Sequence, residues 1–179
     1  MKVLLINASP KKNGATQKIV DFMESALPQD VQAQSLCMGD VEFSLCVGCK
    51  SCYEAGDCFR KDGVQTLLRQ MDECDAVVIV CPSWWADVPA QFKAFIDRCT
   101  PWCNTHEPHQ TIPSGKRGYA IALRTGPGMK ECERIISSIE HFYGHLEIEC
   151  RGHLGLCSVE NKEDAASRKE EISAFCTKI

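Results

Sequence analysis

Val3-Leu4-Leu5-Ile6 and Ala76-Val77-Val78-Ile79-Val80 are unbroken apolar runs, and each is followed by a polar turn and a stretch whose apolar residues recur at helical spacing. A strand apolar on both faces has to be covered on both, which calls for a parallel sheet between two layers of helices. The first strand, from Lys2 to Ile6, ends in the turn Asn7-Ala8-Ser9-Pro10. Ala15, Ile19, Phe22, Met23, Ala26 and Leu27 then stripe a helix that Pro28 stops. Val31 to Leu36 reads as a weaker, alternating strand near a sheet edge, and Val64 to Met71 as a short helix. Ala76 to Val80 should be the central strand. Ala90 to Arg98, with Phe92, Phe95 and Ile96 on one face, is the next helix, and Gly118 to Leu123 the fourth strand. Met129, Cys132, Ile135, Ile136 and Ile139 mark a fourth helix, Leu146 to Cys150 a fifth strand, and Glu163 to Cys176 a last, more polar helix.

Five strands alternating with helices in 179 residues predict a single α/β domain over residues 1–179. The architecture is a flavodoxin-like, doubly wound five-stranded parallel sheet of order 2-1-3-4-5. That order places the ligand crevice at the carboxyl ends of strands one and three, where the loops from Ser9 and Pro82 should face one another. No apolar run approaches the ~18–20 residues of a membrane span, and the first apolar stretch is too short for a signal peptide, so a cytoplasmic location is expected. A net charge of −4 without a basic stripe argues against a nucleic-acid partner. Thirteen cysteines, an odd count, fit metal or redox work in a reducing compartment better than a disulfide scaffold. Cys81, Cys132 and Cys150 read as small buried hydrophobes.

Ser9-Pro10-Lys11-Lys12-Asn13-Gly14-Ala15-Thr16 joins a buried strand to a helix. The Ser9 and Thr16 hydroxyls, the free N–H groups of the first helical turn and the positive end of the helix dipole can converge on a phosphate. Gly14 allows close backbone approach, and Lys11 or Lys12 adds charge. The segment lacks the Gly-Lys-Ser/Thr ending of a triphosphate loop, so a monophosphate fits better, with an ordinary capped turn as the plain alternative. Trp84-Trp85, after the central strand, offers two large aromatics as a stacking surface for a planar ring, or as packing for a subunit interface.

Cys46-Val-Gly-Cys49-Lys-Ser-Cys52-Tyr-Glu-Ala-Gly-Asp-Cys58 presents four thiols in one loop, residues 46–58, among charged neighbours. Its C-x2-C-x2-C opening matches that of bacterial ferredoxins and suits an iron-sulfur cluster; zinc and a metal-free, redox-active thiol loop are the rivals. Cys99-Thr-Pro-Trp-Cys103-Asn-Thr-His106-Glu-Pro-His109 has irregular spacing and flanking prolines and reads as a solvated loop. His141, His145 and His153 read as single surface or cap residues.

The segments Ile6 to Thr16, Cys46 to Cys58 and Pro82 to Arg98, in this order, resemble the NADPH-dependent FMN reductase family, and within it the iron-sulfur flavoproteins. The resemblance implies that Ser9, Lys11, Asn13 and Thr16 hold an FMN phosphate, with Gly14 and Ala15 contributing the helix start. It implies that Pro82, Ser83, Trp84 and Trp85 line the isoalloxazine, that Thr125 and Gly126 approach it, and that Cys46, Cys49, Cys52 and Cys58 carry a 4Fe-4S cluster. No catalytic side chain is required, because flavin carries the chemistry. The implied activity is an FMN-dependent oxidoreductase that takes electrons from NAD(P)H or a ferredoxin and passes them to a small acceptor, working as a homodimer or homotetramer. The alternatives are a cluster-free NAD(P)H-dependent FMN or quinone reductase, and a redox-sensing or electron-carrier module without turnover.

Overall fold

The computed structural model describes residues 1–179. Its strands are β1 (Lys2–Asn7), β2 (Gln32–Cys37), β3 (Ala76–Pro82), β4 (Arg117–Leu123) and β5 (Glu149–Leu156). Its helices are α1 (Ala15–Ala26), α2 (Cys52–Ala55), α3 (Gly63–Glu73), α4 (Ala90–Arg98), α5 (Lys130–His145), α6 (Lys162–Ser167) and α7 (Lys169–Cys176). The sheet order is β2-β1-β3-β4-β5, every pairing parallel, as the alternation of strand and helix signals predicts. None of the helices is long and apolar enough to cross a membrane.

Side chains alternate across the sheet and divide the core in two. Leu4, Ile6, Val77, Ile79, Ala120 and Ala122 point toward α3, α4 and α5. Val3, Leu5, Val78, Val80, Tyr119 and Ile121 point toward α1, α6 and α7. Tyr143 of α5 reaches through the first layer, its hydroxyl 3.0 Å from the carbonyls of Val77 and Tyr119. The crossing is tight: a Cβ on Gly118 would stand 2.7 Å from the Tyr143 ring.

Three expectations needed correction. The fifth strand runs over Glu149–Leu156, not Leu146 to Cys150. Leu146 and Ile148 are buried, but in the turn that closes α5, with Glu147 between them at φ 56. The strand itself is an edge with an alternating, half-exposed pattern, so it carries no apolar run to announce it. Cys150, on that edge, is half-buried, whereas Cys81 and Cys132 are buried as expected. The last helix is two, because Arg168 leaves the helical path at φ −97, ψ 9, and α6 starts on its own capping box of Asn161 and Asp164.

One charged pair bridges the domain. Arg98, at the end of α4, is 2% exposed and holds both carboxylate oxygens of Asp62 at 2.9 and 3.1 Å. Asp62 in turn caps α3, accepting from the Val64 amide at 3.2 Å while its own amide donates to Gln65 Oε1 at 2.9 Å.

Candidate functional site

β1 and β3 are neighbours with Asn7 opposite Val80, and the Ala8 amide donates to the Val80 carbonyl at 2.9 Å. The loops following both strands therefore leave from one edge of the sheet, at the point where the crossover direction reverses. In the first loop, Asn7 is fully buried and its Oδ1 accepts from the Ser9 amide at 2.9 Å, while Ser9 Oγ accepts from the Lys11 amide at 3.1 Å. Asn7 Nδ2 donates to Gln17 Oε1 at 2.9 Å, tying the turn to α1.

The start of α1 is bare. Gly14, its N-cap, is extended and makes no side-chain cap, and the first bond into the helix runs from the Lys18 amide to the Gly14 carbonyl. The amides of Ala15, Thr16 and Gln17 thus lack intrahelical partners. Ser9 and Thr16, at 4% and 3% exposure, are the buried polar side chains flanking them. Of the two lysines, Lys12 pairs with Asp40, while Lys11 lies along Gly14, whose added Cβ would sit 3.1 Å from its Cδ. Asn13 is exposed at the mouth of the loop. The plain capped turn is the reading these contacts disfavour, since the helix start carries no cap. Free amides, buried hydroxyls and an unpaired lysine suit a phosphate.

Behind this loop stands a contact that the sequence did not announce. Gly39, in the 3-10 turn Met38–Asp40 after β2, packs so closely that a Cβ there would fall 2.2 Å from the Pro10 carbonyl oxygen. A lone glycine in a short turn gives no sequence signal of that approach.

The second loop follows Pro82. The Ser83 amide donates to the Leu123 carbonyl at 2.7 Å, and Trp84 and Asp87 exchange backbone bonds of 2.9 and 3.2 Å around a tight turn. The turn residues Trp85 and Ala86 have φ of 55 and 60, a left-handed conformation that bulky residues avoid unless their surroundings impose it. The result is that Trp85 projects wholly into solvent, at 101% exposure, with Trp84 beside it at 47%. Two concavities flank the pair. One, about 660 Å3, is lined by Ser83, Trp84, Trp85, Val88, Ala90 and Lys93. The other, about 300 Å3, is lined by Ser83, Trp85, Ala86, Arg124, Thr125 and Glu131.

Thr125 shares a concavity with Trp85, while Gly126 lies under the Arg124 guanidinium, 2.3 Å from where its Cβ would be. Arg124 and Glu131 also line this candidate site, and the sequence reading missed them. Ser83 Oγ donates to Glu131 Oε2 at 2.7 Å, Glu131 pairs with Arg124 at 3.1 Å, and Arg124 Nη1 donates to the Gly128 carbonyl at 2.8 Å. The chain separation of 48 residues between Ser83 and Glu131 hides that network from local pattern reading.

The cysteine loop winds through three left-handed residues, Gly48, Lys50 and Gly56, with α2 as its only regular turn. Cys46 and Cys49 are exposed, Cys52 and Cys58 half-buried, and all four are free thiols. Burial pushes the Cys52 thiol up, and the neighbouring Cys58, Cys49 and Cys46 push it further. The Ser51 hydroxyl and amide hold the Cys49 thiol below its usual range. The side chains are not gathered as a closed chelate: no group of three or more His, Cys, Asp or Glu is placed to hold an ion. Four soft donors on one loop, none of them fully buried, nonetheless suit a thiolate-ligated centre.

The loop of the remaining histidines is less solvated than expected. His106 is 3% exposed, its ring 4.2 Å from that of Tyr53 and its Nδ1 2.8 Å from the Pro108 carbonyl. His141 and His145 do not stand singly. They share one face of α5 at i, i+4 with ring nitrogens 3.1 Å apart, and His145 Nδ1 lies 3.1 Å from Cys103 Sγ. His153 Nδ1 meets Glu140 at 3.1 Å.

A family model for NADPH-dependent FMN reductase matches residues 1–150. An iron-sulfur flavoprotein of Archaeoglobus fulgidus is 31% identical over 132 residues, covering 73% of this chain and 58% of that protein. One from Methanosarcina thermophila is 26% identical over 190 aligned positions, covering 100% of this chain and 93% of its own length. Among solved structures, an NAD(P)H:quinone oxidoreductase from Methanothermobacter marburgensis matches with a TM-score of 0.74 at 12% identity, covering 98% of this chain and 94% of that one. An FMN-dependent NADH-azoreductase from Bacillus anthracis, in complex with FMN, matches with a TM-score of 0.69 at 13% identity, covering 99% and 98%. At such identities these structures speak for the fold alone, and the chain spans little more than half the length of the Archaeoglobus relative. The match over residues 1–150, spread across both strand-end loops and the cysteine ladder, places this chain in the NADPH-dependent FMN reductase family.

Proposed function

We propose that this chain binds FMN at the carboxyl ends of β1 and β3 and acts as a flavin-dependent oxidoreductase whose cysteine loop carries a 4Fe-4S cluster. The observation that carries the reading is the pairing, at one sheet edge, of an uncapped helix start between two buried hydroxyls with a fully exposed, conformationally strained tryptophan. Ser9, Thr16, Lys11, Asn13 and the free amides of the helix start at Gly14 and Ala15, from Ala15 to Gln17, would hold the phosphate. Pro82, Ser83, Trp84 and Trp85 would flank the ring, with Thr125 and Gly126 closing its far side.

When bound, flavin interconverts two-electron and one-electron transfer, which is the chemistry a nicotinamide donor and an iron-sulfur partner require of it. The residues of the chain position and shield. The amides and hydroxyls of the first loop neutralise phosphate charge with charge-assisted bonds of about 1.5–3 kcal/mol each. Ser83 is oriented by Glu131, and Glu131 by Arg124, so the hydroxyl beside the ring surface is fixed rather than free to rotate. Cys46, Cys49, Cys52 and Cys58 would ligate the cluster. The electron donor is a reduced nicotinamide or a ferredoxin-like protein, the acceptor a small molecule, and the working form a cytoplasmic homodimer or homotetramer.

Titration of FMN into the apoprotein tests the first half. Replacing Ser9 with Ala and Thr16 with Val together should raise the dissociation constant by about 100-fold, as losing two hydrogen bonds to a charged group implies. Micromolar FMN failing to bind the unaltered protein would refute the assignment. The second half is tested by anaerobic reconstitution followed by iron and sulfide assays. Cys49→Ser should lose iron and keep FMN, and iron retained at the unaltered stoichiometry would count against the cluster. Sustained NADPH oxidation by iron-free protein would identify the cluster-free reductase instead.

A further inference from the structure

Arg98 is a full-length cationic side chain driven into the interior at the end of α4, and its partners are the two limbs of the cysteine loop. Its Nη1 donates to the Ser44 carbonyl, upstream of Cys46. Its Nη2 donates to the Arg60 carbonyl at 3.2 Å, downstream of Cys58, and both nitrogens hold the Asp62 carboxylate. Four of the five N–H groups of a guanidinium sit on these two nitrogens. The fifth, on Nε, is buried and has no acceptor. The Arg60 carbonyl that the guanidinium holds is two residues from Cys58, which places this positive charge in the neighbourhood of that thiol. A buried donor without a partner is costly, and negative charge gathered on the neighbouring loop would relieve part of that cost.

We propose that Arg98 is the positioning residue of the cysteine loop, clamping residues 44 and 60–62 together and setting a buried positive charge beside the limb that carries Cys58. This deepens the cluster reading and rests on it for its electrostatic half. The clamp fixes the separation of the limbs that carry Cys46 and Cys58. The charge acts on the cluster because reduction adds one negative charge, which a nearby cation in a low-dielectric setting favours. Asp62 offsets part of that charge but lies on the opposite side of the fork from Nε.

Two variants separate the two effects. Arg98→Lys keeps the charge and loses the fork; Arg98→Gln loses both. In iron-free protein, hydrogen exchange across residues 44–62 should speed up by about tenfold or more in both variants, with the β1, β3 and β4 amides and FMN binding little changed. In reconstituted protein, an EPR-monitored titration should find the cluster midpoint potential shifted negative in Arg98→Gln and near the unaltered value in Arg98→Lys. Unchanged exchange over 44–62 in either variant overturns the clamp. Equal potential shifts in Lys and Gln overturn the charge effect, leaving a purely structural arginine. If Arg98→Gln does not fold, Arg98→Lys alone must show fast exchange with a preserved potential, and any other result overturns the proposal. Failure of the unaltered protein to take up a cluster would sink the functional reading and the charge effect with it, while the exchange measurement still decides the clamp.

Discussion

Asp62→Ala is expected to lower the free energy of unfolding by about 3–5 kcal/mol, read from urea denaturation near pH 7. The substitution leaves Arg98, 2% exposed, as an unpaired buried cation, and it also strips α3 of its N-cap. The pair further makes stability depend on acid. Burial pushes the Asp62 carboxyl up, but the Arg98 donors and the Ser44 and Val64 amides more than offset that, and the group is held below its usual range. A carboxylate whose folded pKa is depressed contributes fully above its unfolded pKa, about 3.9, and loses that contribution as pH falls below it toward the folded value. The unaltered protein should therefore lose stability more steeply below about pH 4 than Asp62→Ala does. Parallel acid profiles for the two proteins, or an unchanged urea midpoint, would show that the pair contributes nothing.

Gly39→Ala should weaken FMN binding by about 10- to 100-fold. Gly39 does not occupy the left-handed region, so alanine is conformationally acceptable there; the obstacle is space. Its Cβ would stand 2.2 Å from the oxygen and 3.0 Å from the carbon of the Pro10 carbonyl, which is backbone and cannot rotate away as a side chain would. The loop between Ser9 and Lys11 has to shift, at an overpacking cost of about 1–3 kcal/mol, and the Ser9 hydroxyl moves with it. Gly144→Ala is the control: it sits on α5 with nothing within 4 Å of an added Cβ and should be neutral or stabilising by roughly 0.5–1 kcal/mol. Equal FMN affinity in Gly39→Ala and the unaltered chain would mean that the turn after β2 does not support the loop proposed to hold the phosphate.

Arg98 and Gly39 illustrate where sequence reading stops. Phe92, Phe95 and Ile96 announce the buried face of α4, but Arg98 lies at its rim, and its burial follows from a loop 54 residues earlier in the chain folding onto the helix end. Glu131 reads as an ordinary acidic residue in a helical first turn until β3 and β4 pair and bring it to Ser83. β5 misled for a related reason. An edge strand covered on one side needs no apolar run, so the buried Leu146 and Ile148 drew the expected strand several residues early.

The sequence alone determined the parallel sheet and its order, the two strand-end loops and the four-thiol ladder, because hydrophobic period, turn residues and cysteine spacing are properties of neighbours along the chain. Only the tertiary structure decided that Arg98 grips both limbs of the ladder, that Gly39 braces the first loop and that Trp85 is thrust into solvent on a strained turn. These rest on contacts between segments brought together by strand pairing and helix packing, and their energies exist only once the sheet has assembled.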